Sequence, residues 1–381
     1  MAAAMPSQPL RITWLFSWAE DLFAFLMPTL LAVSLVLLVR DAQHAPLGPL
    51  GWLLTVVFVD VAHVWATIYR VYTVPGEVKR RPLLYLGIPA LAYAASVVLY
   101  SLSALTFWRA LASLAVYHFV RQQYGWIALC GRRAPAPRWA ALDRGLDTLA
   151  IYIGTLYPIV YWHAHLPRRF HWFVAKDFFL PAPAWLASVF FVAWLLIGGL
   201  WLVRQIHRLL DERSLPAAKL LVMGSTWLSW YLGIVYYNSD FAFSVCNVLP
   251  HGVPYFVLLY RYRQNELRDR EAQSEPAPVP HRAAATPLHH DPSRVRYSAT
   301  AVLMFLLPLF ALAFCEESLW DRLIWHDHAR FFPLPEIDPP AWLLVLLVPL
   351  LALPQSSHYL LDAWIWRVGP QNPDLRRRLG L

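Results

Sequence analysis

Four apolar stretches of the sequence each carry a histidine with another polar residue one helical turn away. Because an α-helix has 3.6 residues per turn, spacings of three and four put each group on one face of a helix. The groups are Asp60–His63, His118–Arg121–Gln122, Asn247–His251–Tyr255 and Gln355–His358–Asp362. Polar residues within apolar helices often only bond across a helix bundle. Four such groups together indicate a functional cluster.

The histidines suggest the chemistry of this cluster. Imidazole nitrogens bind zinc, copper, iron and nickel, and a ligating histidine usually donates its second N–H to a carboxylate or carbonyl. We predict a non-haem Fe(II) site that activates dioxygen, with four ligands: His63, His118, His251 and His358. Asp60 and Asp362 would orient these histidines, and Arg121 would hold a carboxylate or phosphate end of the substrate.

The segments that carry these residues are predicted to be membrane helices. The chain has 381 residues, of which 58% are hydrophobic and 15% charged, whereas soluble domains carry about 25% charged residues. The sequence predicts an all-α polytopic membrane bundle, since a spanning helix needs roughly 20 apolar residues. Ten helices are expected near 18–40, 50–73, 83–105, 107–130, 146–163, 183–203, 217–237, 240–262, 298–316 and 341–366. Pro354 should kink or divide the last one.

Charge fixes the predicted orientation. With the N-terminus inside, 24 Lys and Arg residues fall on the cytoplasmic side and 7 outside, which follows the positive-inside rule and places both termini in the cytoplasm. This bias also explains the pI of about 9.5 without a nucleic-acid partner. The second, fourth, eighth and tenth helices then run in one direction, with their histidines at similar depth. The expected location is a bacterial inner membrane.

The domain organisation follows the same scheme. Helices one to eight occupy 1–262, a flexible cytoplasmic linker covers 263–296, and 297–381 holds the last two helices with a basic tail. The linker histidines are expected to be solvated: His281, His289 and His290. The outer loop near 317–340 is also expected to be solvated. The first apolar run lacks a signal-peptide cleavage pattern and is expected to stay as a helix.

The pattern of Asp60–His63, His118 and His251 resembles that of membrane-embedded carotenoid-cleaving dioxygenases, the Brp/Blh-type beta-carotene dioxygenases. The resemblance implies a polytopic enzyme that holds a single iron with histidines from several helices and acts on a lipid-soluble substrate. That family is expected to carry two histidines four residues apart on one helix. This chain has His251 alone and the distant His358 instead.

Other functions fit parts of the pattern. A transporter or proton-coupled carrier would use Asp60, Arg121, Asp362 and the histidines as an intramembrane relay. A membrane-bound O-acyltransferase would use His251 with Asn247. Haem-based electron transfer would pair histidines as axial ligands and would leave some of them unexplained. In each case the partners are the lipid bilayer and a small molecule, which is hydrophobic in the oxygenase interpretation.

Overall fold

The computed structural model describes residues 9–133, 139–178, 181–274, 295 and 297–381. Within them the chain is almost entirely helical, which confirms the predicted all-α class. The described part holds one small parallel sheet of β1 (Arg11–Ile12) and β2 (Ser214–Leu215). The long helices are α1 (Trp18–Leu38), α2 (Pro49–Arg70), α3 (Leu83–Leu102), α4 (Ala104–Arg133), α5 (Ala140–Ala164), α6 (Ala184–Leu210), α7 (Ala217–Tyr236), α8 (Asp240–Ser274), α9 (Ala299–Trp325) and α10 (Ala341–Ile365). Two short helices are Glu77–Arg80 and Leu375–Leu379.

Eight of these helices are long and apolar enough to cross a membrane, as in an integral membrane protein. The other two long helices, α4 and α5, lie where the sequence predicts spans but are less apolar. α4 carries His118, Arg121 and Gln122, and α5 carries Asp143 and Asp147. These polar residues lower the mean hydropathy of both helices.

Several helix ends differ from the predicted ones, and α6 continues to Leu210 instead of ending near 203. α8 continues to Ser274 instead of ending near 262, so the first part of the predicted linker is helical. The rest of that linker, 275–294, lies outside the described residues together with its three histidines. α9 continues to Trp325 instead of ending near 316, so Glu317 and Asp321 belong to a helix and not to the outer loop. α5 begins at Ala140 instead of near 146.

The predicted division of the last helix is confirmed. α10 consists of two α-helical pieces, Ala341–Leu351 and Leu353–Ile365, that join at Ala352. Pro354 lies at the start of the second piece, where a proline is tolerated because its missing N–H has no helical partner there. The piece after the break carries His358 and Asp362.

The chain divides into two compact units. The first comprises residues 1–46 and 119–250, in which buried charges pair with one another. Asp147 accepts a hydrogen bond from Trp201 Nε1 (2.8 Å) and pairs with Lys219. Asp143 accepts from Arg204 Nε at 2.6 Å. These pairs satisfy charges on α5, α6 and α7 that would otherwise be buried at high cost.

The second unit comprises residues 47–118 and 251–381 and contains all four predicted histidine ligands. Its core is formed by apolar side chains of α2, α8 and α9, including Val57, Val61, Leu259, Phe305 and Leu309. All five are at most 7% exposed. This core holds the helices that carry His63 and His251 against each other.

Candidate metal centre

His63 is positioned by an irregular stretch of α2. The residues Leu53–Val61 are π-helical, a local widening that is frequent at functional sites. The Nδ1 atom of His63 lies 3.3 Å from the carbonyl oxygen of Val59. A carbonyl only accepts, so in the neutral imidazole Nδ1 carries the proton. The lone pair of His63 is therefore on Nε2.

α8 brings His251 to His63 through a close helix contact. A Cβ atom added to Gly252 would lie 2.6 Å from Val59 Cγ1 and 3.2 Å from the Val59 carbonyl oxygen. Glycine is thus required for α8 to approach α2 this closely. Next to this contact, His251 Nε2 and His63 Nε2 are 3.1 Å apart.

His118 and His358 form a second pair. Their Nε2 atoms are 3.2 Å apart. The Nδ1 atom of His358 lies 2.7 Å from the hydroxyl of Thr67, one turn after His63 on α2. Thr67 therefore fixes the ring of His358 from the side opposite its Nε2 atom, as the outer partners of metal-binding histidines do.

The four imidazoles form one buried cluster. Measured between ring centroids, His118 lies 4.5 Å from His358 and 5.1 Å from His251, while His63 lies 4.9 Å from His358. No histidine of the cluster is more than 2% exposed. Ligand nitrogens of His63, His118 and His251 all lie within 4.8 Å of one another.

The nitrogen spacing fits a common metal ion. Two nitrogens bound at about 2.0–2.1 Å to one ion lie roughly 2.9 Å apart at a right angle and 3.4 Å apart at a tetrahedral angle. The two Nε2–Nε2 distances of 3.1 and 3.2 Å fall between these values. The donor set of neutral imidazoles suits iron, zinc, copper or nickel.

Asp362 lies on the outer side of two rings. Its Oδ2 is 3.8 Å from His118 Nδ1 and its Oδ1 is 4.0 Å from His358 Nδ1. Asp362 also belongs, with His118 and His358, to a second group whose ligand atoms all lie within 4.8 Å of one another and that could hold a metal ion. It also accepts hydrogen bonds from the Tyr255 hydroxyl (2.7 Å) and Trp366 Nε1 (2.9 Å). Its distances to the two histidines are too long for hydrogen bonds, so the role of Asp362 in orienting them stays a prediction.

Asp60 has a looser connection to its histidine. Its Oδ1 is 3.6 Å from His63 Nδ1, too long for a hydrogen bond. The Val59 carbonyl is the nearer acceptor in this structure. The role of Asp60 in orienting His63 stays a prediction.

Arg121 and Asn247 belong to the first unit, where each has local partners. Arg121 Nη1 donates to the Tyr152 hydroxyl at 2.5 Å, and its guanidinium lies over the Tyr124 ring. The buried Asn247 donates from Nδ2 to the Phe243 carbonyl of its own helix at 2.8 Å. Their predicted roles in substrate binding and acyl transfer are untested by these contacts.

Glu316 is a buried polar residue that the sequence reasoning missed. Its carboxylate accepts hydrogen bonds from Trp65 Nε1 and Gln355 Nε2, both at 2.6 Å, and from Trp320 Nε1 at 3.3 Å. Trp65 and Gln355 lie within one turn of His63 and His358. Glu316 thus ties together α2, α9 and α10. The sequence places Glu316 at the boundary between the predicted helix 298–316 and the solvated loop. Its position inside the bundle becomes clear only because α9 continues to Trp325.

Comparison with known proteins adds no relative. No family model matches the chain, and no curated protein or solved structure is significantly similar to it. The function of the protein is therefore inferred from its residues and their geometry.

Proposed function

We propose that this protein is a membrane-embedded, histidine-ligated non-haem iron oxygenase that acts on a lipid-soluble substrate. The observation that carries the proposal is a buried cluster of four imidazoles, in which Nε2 atoms form two close pairs and ligand nitrogens of His63, His118 and His251 lie within 4.8 Å of one another. Iron bound by His63, His118, His251 and His358 would supply dioxygen activation. The chain's own residues support Nε2 lone pairs that are directed inward: Val59 and Thr67 contact the Nδ1 atoms of His63 and His358, and Asp362 lies 3.8 Å from that of His118.

The surroundings favour an apolar substrate. The cluster adjoins a core of aliphatic and aromatic side chains on α2, α8 and α9. Ligand sites of this kind are lined mainly by apolar groups, with a few polar groups that orient the ligand. An isoprenoid or acyl chain is compatible with apolar surroundings of this kind, and the pattern-level resemblance to carotenoid-cleaving dioxygenases agrees with the isoprenoid.

The close nitrogen pairs argue against haem. Two axial histidines on one haem iron stand on opposite faces of the ring, with their nitrogens about 4 Å apart, which is twice a metal–nitrogen bond. The Nε2 pairs here are 3.1 and 3.2 Å apart. Both pairs are closer than that, which supports the non-haem proposal.

Ten membrane spans with cytoplasmic termini, in a bacterial inner membrane, complete the proposal. The eight apolar helices support it. The excess of Lys and Arg on the predicted inner side supports the orientation. α4 and α5 would be the two less apolar spans, and α4 would carry His118 in the bundle.

A proton-coupled carrier is the second candidate, and Glu316 is the observation that favours it. This carboxylate and its neighbour Glu317 are at most 8% exposed, and three neutral N–H donors surround Glu316. Buried carboxylates within membrane helices often belong to proton relays. A carrier would need neither iron nor dioxygen.

Dioxygen consumption by the iron-loaded protein in detergent tests the proposal. Isoprenoid and acyl substrates are each added, and products are identified by mass spectrometry. We expect substrate-dependent dioxygen uptake that is absent from zinc-loaded protein and from His118→Ala. If the protein binds iron but takes up no dioxygen with either isoprenoid or acyl substrates, the oxygenase proposal is contradicted. Proton flux in metal-free proteoliposomes would then favour the carrier.

A further inference from the structure

Tyr255 and Trp366 form an aromatic pair that begins at the histidine cluster. The Tyr255 ring lies edge-on to His63 and His358, with centroid distances of 5.6 and 5.3 Å. The Trp366 ring meets Tyr255 edge-on at 5.8 Å, and its Nε1 lies 3.3 Å from the Tyr255 hydroxyl. Phenol and indole are the side chains that lose one electron most readily after thiols. The pair therefore offers a short path for an electron.

The Tyr255 hydroxyl has a proton acceptor already in place. It donates to Asp362 Oδ1 at 2.7 Å, and the same oxygen accepts from Trp366 Nε1 at 2.9 Å. A phenol that loses an electron becomes a strong acid, so oxidation is easier when the proton can move along an existing hydrogen bond. Asp362 supplies that hydrogen bond.

Positive charges lie on the far side of the pair. The Arg70 guanidinium is 5.8 Å from the Trp366 ring and 4.9 Å from the Tyr262 ring, and Arg378 donates to the Tyr262 hydroxyl at 2.7 Å. Two guanidinium groups make oxidation of Tyr262 unfavourable, since a hole carries positive charge. Arg70 acts on Trp366 in the same way, so the nearby positive charges favour a hole on Tyr255 over one on Tyr262 or on Trp366.

We propose that Tyr255 and Trp366 are a one-electron donor pair for the histidine cluster. Tyr255 would give one electron to an oxidant that bound iron and dioxygen would form at the cluster, which would thereby be reduced, and the phenolic proton would pass to Asp362. Trp366 would exchange an electron with the Tyr255 radical: when Trp366 gives the electron, the proton returns from Asp362 to the phenolate oxygen and the hole lies on Trp366. The transfer of electrons from the pair to the cluster rests on the proposed oxygenase function. The exchange of an electron between Tyr255 and Trp366 is independent of that function.

The exposure of the two side chains allows a test without metal. Tyr255 is 1% exposed, so an oxidant in solution cannot reach it directly. Trp366 is half-buried and can be reached. Photo-oxidation of the metal-free protein in detergent, with a ruthenium polypyridyl complex and persulfate, should run the exchange in reverse: the hole enters at Trp366, Tyr255 gives it an electron, and Asp362 takes the proton.

The readout is the tyrosyl radical signal in electron paramagnetic resonance of freeze-quenched samples. We expect one component of this signal to be lost in Tyr255→Phe and equally in Trp366→Phe, which leaves Tyr255 in place. Trp364→Phe is the matched control, because Trp364 is 43% exposed and only two residues away. The tyrosyl radical signal of Trp364→Phe should equal that of the wild type.

Two results would overturn the proposal. One is a tyrosyl signal that Tyr255→Phe leaves unchanged; the other is a Tyr255 component that survives in Trp366→Phe. Gel filtration and circular dichroism of each variant establish that it is folded, and Trp366→Phe alone decides the question if Tyr255→Phe does not fold. Because no metal is present, failure here leaves the iron centre untouched, and failure to bind iron leaves this result valid.

Discussion

Asp362 lies beside two imidazoles of the cluster, and its carboxyl group is the feature to remove at the residue scale. Asp362→Asn keeps all four histidines but replaces the carboxyl group that lies 3.8 Å from His118 Nδ1 and 4.0 Å from His358 Nδ1. Replacement of such outer partners typically lowers metal affinity by about 10–100-fold. We expect a loss of this size in a competition titration with a chelator. Asp374 is an exposed carboxylate on the C-terminal tail, and Asp374→Asn should bind the metal with the same affinity as the wild type.

Glu77 gives a pH-dependent stability outside the membrane helices. Burial acts to raise its pKa, but the hydrogen bond from Tyr85 and the charges of Arg70 and Arg80 outweigh burial and lower the pKa from 4.5 to about 2. A lowered pKa means that this stabilisation is complete above the unfolded value and is lost as the pH falls from about 4.5 through about 2. Thermal unfolding in detergent should show this loss in the wild type.

Glu77→Gln should be less stable than the wild type at neutral pH, and the difference should shrink as the pH falls through the same range. The exposed Glu336→Gln serves as the control and should follow the wild-type curve. An equal pH dependence in Glu77→Gln and in the wild type would contradict the assignment.

At this scale the sequence predicted the histidines but not their partners. Spacings of three and four residues identify His63, His118, His251 and His358 because the helical period is local information. The pairing of His63 with His251, the hydroxyl of Thr67 and the three donors on Glu316 join residues far apart in the chain. A single sequence contains no signal for such contacts.

At the scale of the elements, the contact of α8 with α2 depends on Gly252. Gly252→Ala would press a methyl group against Val59, whose backbone carbonyl cannot move without displacing α2. Overpacking of this kind costs about 1–3 kcal/mol. We expect a lower unfolding midpoint and weaker metal binding, because His251 moves away from His63. At Gly87 on α3 an added Cβ meets no atom within 4 Å. Gly87→Ala should therefore lower neither the unfolding midpoint nor the metal affinity.

The positions of the helices follow from hydropathy, and the ends that the sequence missed have a physical cause. α9 and α8 extend beyond their apolar runs, and hydropathy carries no information about the polar turns that follow. In α9 those turns are held by Glu316 and by Asp321, whose Oδ1 accepts from the N–H groups of Asp327 and His328 at 2.8 and 2.7 Å. Such capping contacts appear only in the folded chain.

At the scale of the whole molecule, the proposed orientation makes a direct prediction. A fluorescent protein fused after Leu381 should fluoresce, because it folds in the cytoplasm. Alkaline phosphatase fused after Phe178, in the predicted outer connection between α5 and α6, should be active in the periplasm. The reverse pattern in an inner-membrane preparation would contradict the proposed topology, although the histidine cluster would remain as described.

The central claim is that four histidines bind one metal ion, and metal content tests it most directly. The wild type and the four single histidine-to-alanine variants are purified in detergent, and bound metals are measured by mass spectrometry with the visible spectrum of the same samples. We predict near-stoichiometric iron without a Soret band in the wild type and its loss in His118→Ala, with the fold retained. A wild type without bound metal, or His118→Ala with unchanged metal content, would contradict the account.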